Sequence, residues 1–398
     1  MALYEMTPER GAGAKLARPV ELVCFALVVA HAVYLATAYI DGIWVIAPDG
    51  SGVAADFVGV WAAGKLALAG HAAAAYDWPV HKLVEASAVG HPFDGYYSWP
   101  YPPTFLLVAA ALSLLPYPAA FLLWVFATFP AYLVAIRVIV GDRIGYLLAA
   151  AFPAVLSNFI DGQNGFLTAG LIGGALVLLE NQPVAAGALI GLLSFKPHLG
   201  LLFPVALAAS GRWRAFAAAA IVTTLTAGAS WLAFGGASWQ DFFAGLGHSS
   251  QAFLANDYAD WSKFQTAFGL TRTLGGSEAL AWTAQITVSL IAAGAITALW
   301  RRDTAAYEIK AAALSTGAIL ATPYLYTYDL VILAVPLAFL FRLGRARGFL
   351  SQEAAGIGAA CLLILIFPFV KLPVGFAAVL IVATLIARRA LAPQSVHI

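Results

Sequence analysis

Residues 119–138 read AAFLLWVFATFPAYLVAIRV, a stretch with one charge, Arg137, and one proline, Pro130. A helix needs roughly 20 mostly apolar residues to cross the hydrocarbon core of a bilayer, and this stretch meets that requirement. Much of the chain is built the same way: 62% of its 398 residues are hydrophobic and 10% are charged, against about 25% charge in an ordinary soluble domain. So few charges cannot make a water-facing surface. The apolar blocks are rich in Ala, Gly and Leu with little β-branching, which favours helices over the alternating strands of an outer-membrane barrel. The expected fold class is an all-α polytopic membrane protein, one transmembrane domain spanning residues 1–398.

Similar segments lie at 20–39, 102–116, 119–138, 143–159, 164–179, 183–209, 214–235, 281–299, 308–322, 328–341, 354–369 and 374–388, which predicts about 12 transmembrane helices. The first follows Lys15 and Arg18 as a signal peptide would, but so many spans come after it that it reads as a retained helix. In a twelve-helix path Lys15, Arg18, Arg212, Arg214, Arg301, Arg302, Arg342, Arg345, Arg347, Arg388 and Arg389 share one side, cytoplasmic by the positive-inside rule. Arg137 and Arg143 fall on the other side. Cys24 and Cys361 sit in apolar stretches and suggest neither a disulfide framework nor a metal site. A net charge of +1 gives no reason to expect a nucleic-acid partner.

Two polar stretches are left on the external side. Residues 40–100 carry Asp41, Asp49, Asp56, Asp77, Glu85 and Asp94 against Lys65 and Lys82, and within them Ala54 to Gly70 reads as an amphipathic helix lying on the membrane. Residues 236–280 contain Trp239, Phe242, Phe243, Tyr258, Trp261 and Phe264, which suit an interfacial or substrate-covering position. Either could simply link helices, but connections longer than about 15 residues usually carry function.

Polar groups in or near a bilayer need a reason. Lys196 stands in GLLSFKPHLGLLFPV with Ser194 and His198 as its polar neighbours. It either snorkels, forms an ion pair, or meets the phosphate of a lipid-borne substrate. The run Asn158 to Gly165 makes a tight polar turn around Gln163 and Asn164, a plain connection or a rim binding sugar hydroxyls. Pro102 and Pro103 after Tyr101 suit a first helical turn and give the acidic stretch a rigid exit. Tyr324, Tyr326 and Tyr328 could be an aromatic belt, and Asp329 either caps a helix or takes part in chemistry. Asp56 has the same pair of readings, a helix cap or a functional carboxylate. His71, His81 and His91 lack recognisable metal-ligand geometry, and no metal is expected.

Together these residues resemble glycosyltransferase family 87, a branch of the GT-C membrane glycosyltransferases. Asp56-Phe57 with Trp61, Ala63-Gly64, Gly70 and Tyr76-Asp77 is similar to that family's first external loop. Tyr101-Pro102-Pro103, Gly162-Gln163-Asn164, Lys196-Pro197 and Lys263-Phe264-Gln265-Thr266 follow in the family's order, over about residues 15–390. The resemblance implies transfer of a hexose, for example mannose, from a polyprenyl-phosphate carrier to an acceptor outside the cytoplasm, with inversion and without a nucleotide sugar. It implies no cofactor, and places the general base on Asp56. A histidine motif often read in the family's late external loop is replaced here by Tyr324-Leu325-Tyr326-Thr327-Tyr328-Asp329, so no histidine role is carried over.

The residue chemistry agrees with that expectation. A carboxylate within about 3 Å of an acceptor hydroxyl can take its proton as the glycosidic bond forms, and the departing lipid phosphate is favoured by a cation or an array of donors. Asp56 is the candidate base. Tyr101, Gln163, Asn164, Lys196, His198, Lys263, Gln265, Tyr328 and Asp329 are candidate substrate-binding residues. Expected partners are membrane lipid, the lipid-linked donor and a lipid or glycan acceptor, at a bacterial cytoplasmic membrane with the site facing outward. A secondary transporter or flippase also fits intramembrane polar residues, but no repeat relates the two halves. A non-catalytic assembly factor would leave Asp56 incidental.

Overall fold

A computed structural model describes residues 18–254 and 260–392. Lys15 and Tyr258 lie outside the described residues. The chain folds as α1 (Arg18–Ile40), α2 (Phe57–Leu68), α3 (Trp78–Val89), α4 (Pro103–Leu112), α5 (Tyr117–Val140), α6 (Ile144–Ala150), α7 (Val155–Asp161), α8 (Gly165–Leu178) and α9 (Pro183–Leu192), then α10 (Pro197–Gly200), α11 (Leu202–Ala209), α12 (Trp213–Leu254), α13 (Ala267–Thr273), α14 (Glu278–Trp300), α15 (Tyr307–Leu320), α16 (Ala334–Arg347), α17 (Glu353–Ile366) and α18 (Val374–Leu391). Local signals fix many ends. Asp77 and Ser277 accept from backbone N–H groups at the starts of α3 and α14, and left-handed glycines, Gly90 and Gly141, close α3 and α5.

The expected count of twelve spans is corrected. Among the described residues six helices are long and apolar enough to cross a membrane: Arg18–Ile40, Tyr117–Val140, Trp213–Gly245, Glu278–Trp300, Thr327–Arg347 and Val374–Leu391. The bent pair α6 and α7, at 56° to each other, would make a seventh. The protein is thus an all-α, multi-pass membrane protein with six spans among the described residues, or seven with the bent pair, in place of about twelve. The reason is continuity. At about 1.5 Å per residue, the ten residues of α4 cover only about half of a hydrocarbon core roughly 30 Å thick. The stretch 183–209 is interrupted at Leu193–Phe195, a 3-10 turn, and restarts at Pro197, whose ring cannot continue the preceding helix.

The amphipathic surface helix expected at 54–70 is corrected too. In α2 every residue except Lys65 and Leu68 is buried, as befits a helix that is apolar around its circumference. It packs against α4, where Ser113 Oγ donates to Trp61 O at 2.8 Å and Trp61 Nε1 donates to Leu115 O at 2.9 Å. The polar stretch 236–280 is largely helical: α12 continues through a kink at Gly235, and Trp261–Lys263 and α13 follow.

The half-length α4 also changes where the arginines fall. After it the chain turns back, so α5 begins beside the segment that precedes α2, with Tyr117 Oη donating to Val53 O at 2.8 Å. From there α5 runs to the far end, where Arg342 donates to Ile139 O and Arg345 pairs with Asp142. Arg137 and Arg143 therefore share an end with Arg342 and Arg345, and the discrepancy of the twelve-helix path disappears. Arg389, paired with Glu353 and donating to Gly348 O, belongs to the same end.

Candidate active site

The other end gathers the sequence candidates. Asp56 immediately precedes α2, yet its side chain makes no capping bond. It turns instead to the tight turn between α7 and α8, where Gln163 Nε2 donates to Asp56 Oδ2 at 2.6 Å. That turn is set by Gly162, which has φ +63°, and a Cβ there would lie 2.6 Å from Phe121 Cε2 and 2.7 Å from Phe57 Cβ. Only glycine permits so close an approach in that conformation. Gly165 is equally constrained, abutting Asn158 Oδ1 and the carbonyl of Tyr328. The turn is thus pinned between the start of α2 and the segment at 324–329.

Three more candidates extend this contact. Tyr101 Oη lies 3.4 Å from Gln163 Oε1 and accepts a hydrogen bond from Asn164 Nδ2 at 2.8 Å. The Tyr101 ring is held by Trp99 and Phe105, at centroid distances of 5.1 and 4.9 Å, and its carbonyl by Tyr76 Oη at 2.8 Å. Pro102 and Pro103 follow as the entry to α4, as the sequence suggests.

A second cluster forms where α10 begins. Lys196 Nζ meets Asp329 Oδ1 at 2.6 Å, with both residues buried, and sits 5.7 Å from the centroid of the Tyr328 ring. Asp329 Oδ2 accepts from Tyr326 N at 3.3 Å, so this carboxylate also serves as a local cap. Of the readings open for Lys196, the ion pair describes this structure. His198 lies close enough to feel the Lys196 charge.

The third group comes from Trp261–Lys263 and the residues after it. Lys263 is exposed, and its charge acts on Asp56 and on Asp161. Gln265, by contrast, is buried and engaged with backbone: Nε2 donates to Ser262 O at 2.8 Å, and Oε1 accepts from Gly375 N at 2.7 Å. Its own N–H donates to Leu325 O at 2.7 Å, which ties this segment to 324–329. Gln265 therefore shapes the site rather than presenting free polar atoms to it.

The charged members of the three groups act on Asp56. Burial pushes the Asp56 carboxyl up from its ordinary value, while the Gln163 hydrogen bond and the charges of Lys263 and Lys196 pull it down and that of Asp329 raises it. Asp56 is surrounded by protein yet retains partial access to solvent. No described residue donates to its Oδ1. Two neighbours stand outside the candidate site residues named from the sequence. Asp161 ends α7 within the charge field of Asp56, and Tyr326 stacks on Tyr328 at 5.5 Å and 17°. Asp161 stands two residues before Gln163, so the turn itself was the available signal. Among the described residues no three His, Cys, Asp or Glu side chains converge as a metal site would require.

The sequence profile of glycosyltransferase family 87 matches residues 99–323, more than half of the chain. The chain belongs to glycosyltransferase family 87. A family 87 protein is a glycosyltransferase, and here the assignment is made on a multi-pass helical membrane scaffold. No curated protein and no solved structure matches the chain. The family match includes Tyr101, Gln163, Asn164, Lys196, His198, Lys263 and Gln265, while Asp56, Tyr328 and Asp329 lie outside it. In this family 87 chain, then, the case for Asp56 stands on geometry.

Proposed function

We propose that this enzyme transfers a hexose, for example mannose, from a polyprenyl-phosphate carrier to a hydroxyl of a lipid or glycan acceptor, with inversion at the anomeric carbon and Asp56 as general base. One observation carries the proposal: a partly accessible carboxylate with one oxygen held by Gln163 and the other without a donor among the described residues. An acceptor hydroxyl approaching Asp56 Oδ1 would find a base already oriented.

In the proposed step the acceptor oxygen attacks the anomeric carbon from the face opposite the phosphate. The new C–O bond forms as the bond to the phosphate oxygen breaks, the hydroxyl proton passes to Asp56, and the lipid phosphate leaves with the bonding pair. Raising the carboxyl above its usual value makes it a stronger base than a solvated aspartate, provided that it stays ionised. The nearby charges of Lys263 and Lys196 favour the ionised form. The leaving phosphate needs a cation. Lys263 suits that task better than Lys196, whose charge is balanced by Asp329. Gln163, Asn164 and Tyr101 line the base, and His198, Tyr328 and Asp329 surround Lys196.

The proposed orientation is supported by the arginine-rich end of the helices: with that end at the cytoplasm, as the positive-inside rule favours, the Asp56 end would face outward, toward the periplasm or exterior of a bacterial cytoplasmic membrane. Membranes supplied with radiolabelled polyprenyl-phosphate hexose test the proposal. It requires label in a new lipid or glycan, formed in an Asp56-dependent way. Label accumulating inside vesicles with the sugar–phosphate bond intact would replace an enzyme with a carrier.

A further inference from the structure

We propose that Gln163 is the positioning residue of the Asp56 base, and that Tyr101 and Asn164 hold Gln163 in the one amide orientation that serves it. The inference rests on Asp56 acting as the base. Its basis is the order in which donors and acceptors must follow one another. An ionised carboxylate can only accept hydrogen bonds. The Gln163 atom 2.6 Å from Asp56 Oδ2 must therefore be the amide nitrogen, which turns Gln163 Oε1 toward Tyr101. A carbonyl oxygen also only accepts, so the single phenolic proton of Tyr101 points at Oε1, across 3.4 Å. The Tyr101 oxygen is then left to accept, and Asn164 Nδ2 supplies the donor at 2.8 Å. The order Asn164, Tyr101, Gln163, Asp56 runs in one direction, and each assignment follows from the one before it.

The surroundings favour this chain over alternatives. Gln163 is 8% exposed and Asn164 2%, so water does not readily replace either amide. Asn164 Oδ1 is buried with no hydrogen-bond partner among the described residues. Leaving a buried acceptor unpaired is costly, so the orientation of Asn164 is held by what its nitrogen gains at Tyr101. Neither amide is recruited as a helix cap, although Asn164 occupies the position just before α8. The arrangement leaves Asp56 Oδ1 as the oxygen open to the acceptor hydroxyl. The residues flanking the chain fix it in place: Gly162 forces the turn that carries Gln163, and the Trp99 and Phe105 rings fix Tyr101.

Gln163, Tyr101 and Asn164 accordingly act through Asp56 rather than on the sugar or the phosphate. Three variants of the full-length enzyme in lipid nanodiscs separate the roles: Tyr101→Phe, Gln163→Leu and Gln163→Glu. Tyr101→Phe keeps the ring and removes only the hydroxyl, and kcat should fall about tenfold, the worth of one hydrogen bond. Gln163→Leu frees the carboxylate, and kcat should fall on the order of a hundredfold, as expected when a reacting group loses its alignment. In both, the KM for the lipid-linked donor should stay within about twofold of wild type, a range far smaller than the loss of a phosphate contact would give. The acid limb of the kcat/KM pH profile should also move to higher pH in Gln163→Leu, because a donor that favours the ionised form has been removed. Gln163→Glu should move that limb further in the same direction, since two carboxylates at this distance share a proton. Should Gln163→Leu fail to accumulate, the other two variants decide the matter.

Variants that lose thermal stability while keeping kcat and the acid limb would show a merely structural chain and overturn the proposal. A rise in donor KM with kcat unchanged would also overturn it, by making these residues substrate contacts. Both results leave the Asp56 reading intact as long as Asp56→Asn is inactive. If Asp56→Asn turns over normally, that reading falls and the positioning role falls with it.

Discussion

Lys196 and Asp329 lie 133 residues apart in sequence and face each other at 2.6 Å, both almost wholly buried. The pair explains how a lysine comes to sit in a run of leucines and phenylalanines: its charge is matched within the protein, so it does not need to reach an interface. It also fixes Lys196 in the structure, which gives the donor phosphate a less direct claim on it. Breaking one side of such a pair leaves the other charge buried and alone, at a cost of about 3–5 kcal/mol. Lys196→Ala and Asp329→Ala should each therefore lower the thermal unfolding midpoint sharply. The double variant Lys196→Met with Asp329→Leu should recover most of that loss. Equal destabilisation in all three would mean that the pair contributes nothing specific.

Lys263 should behave in the opposite way. It is exposed, and no ion-pair partner for it occurs among the described residues. Lys263→Ala should leave folding unchanged and raise the KM for the lipid-linked donor about tenfold, the typical worth of one charge-assisted contact. A companion Lys263→Arg variant should retain most of the affinity. Steady-state kinetics on purified enzyme in nanodiscs make the comparison, and an unchanged KM in Lys263→Ala would remove this residue from the phosphate site.

The pH dependence follows from the direction of the Asp56 shift. Burial raises this carboxyl above its ordinary value of 3.8, and a general base works only when ionised. Activity should thus be lost, as pH falls, at a higher pH than an ordinary aspartate would give. Linkage gives the matching statement about stability. A carboxyl raised in the folded state contributes stability that is fully present below the unfolded value and is lost as pH rises through the folded value. At neutral pH, above the unfolded value, the raised Asp56 carboxyl is thus a burden on the fold, and Asp56→Asn should melt at or above the wild-type temperature there. A marked fall in its melting temperature would contradict the shift.

Gly162 offers a check on the geometry of the turn. Gly162→Ala places a side chain in left-handed backbone, about 1–2 kcal/mol of strain, and drives it into Phe121 and Phe57. Gly70→Ala shares the left-handed strain, at φ +81°, but meets open space. The first variant should lose more stability than the second and should also lose turnover, because Gln163 moves with the turn. Equal effects from the two substitutions would show that the close approach at Gly162 is unimportant.

The helical, multi-pass character was legible in composition, because too few charges exist to face water. The number of spans was not, because apolarity over a window does not report whether a helix is continuous. Pro197 divides what reads as one long segment, and α4 stops after a half-length passage. The roles of Asp56 and Asp329 were open for a similar reason. Each precedes or begins a helix, so each reads as a cap, and only long-range partners separate them. Asp56 caps nothing and binds Gln163, 107 positions away, whereas Asp329 caps Tyr326 N and pairs with Lys196. Family motifs brought Tyr101, Gln163 and Asn164 together in one reading. Their order as a donor chain depends on atoms that meet only in the fold.

The central claim is that the Asp56 carboxylate removes the acceptor proton. The most direct test compares single-turnover transfer and donor binding in wild type and Asp56→Asn at neutral pH. Transfer should fall by about 10²–10⁴-fold, the usual contribution of a general base, while the dissociation constant for the polyprenyl-phosphate hexose stays within about twofold, because the proposed phosphate contacts are untouched. Transfer within a factor of a few of wild type, in protein shown to be folded and donor-bound, would contradict the account.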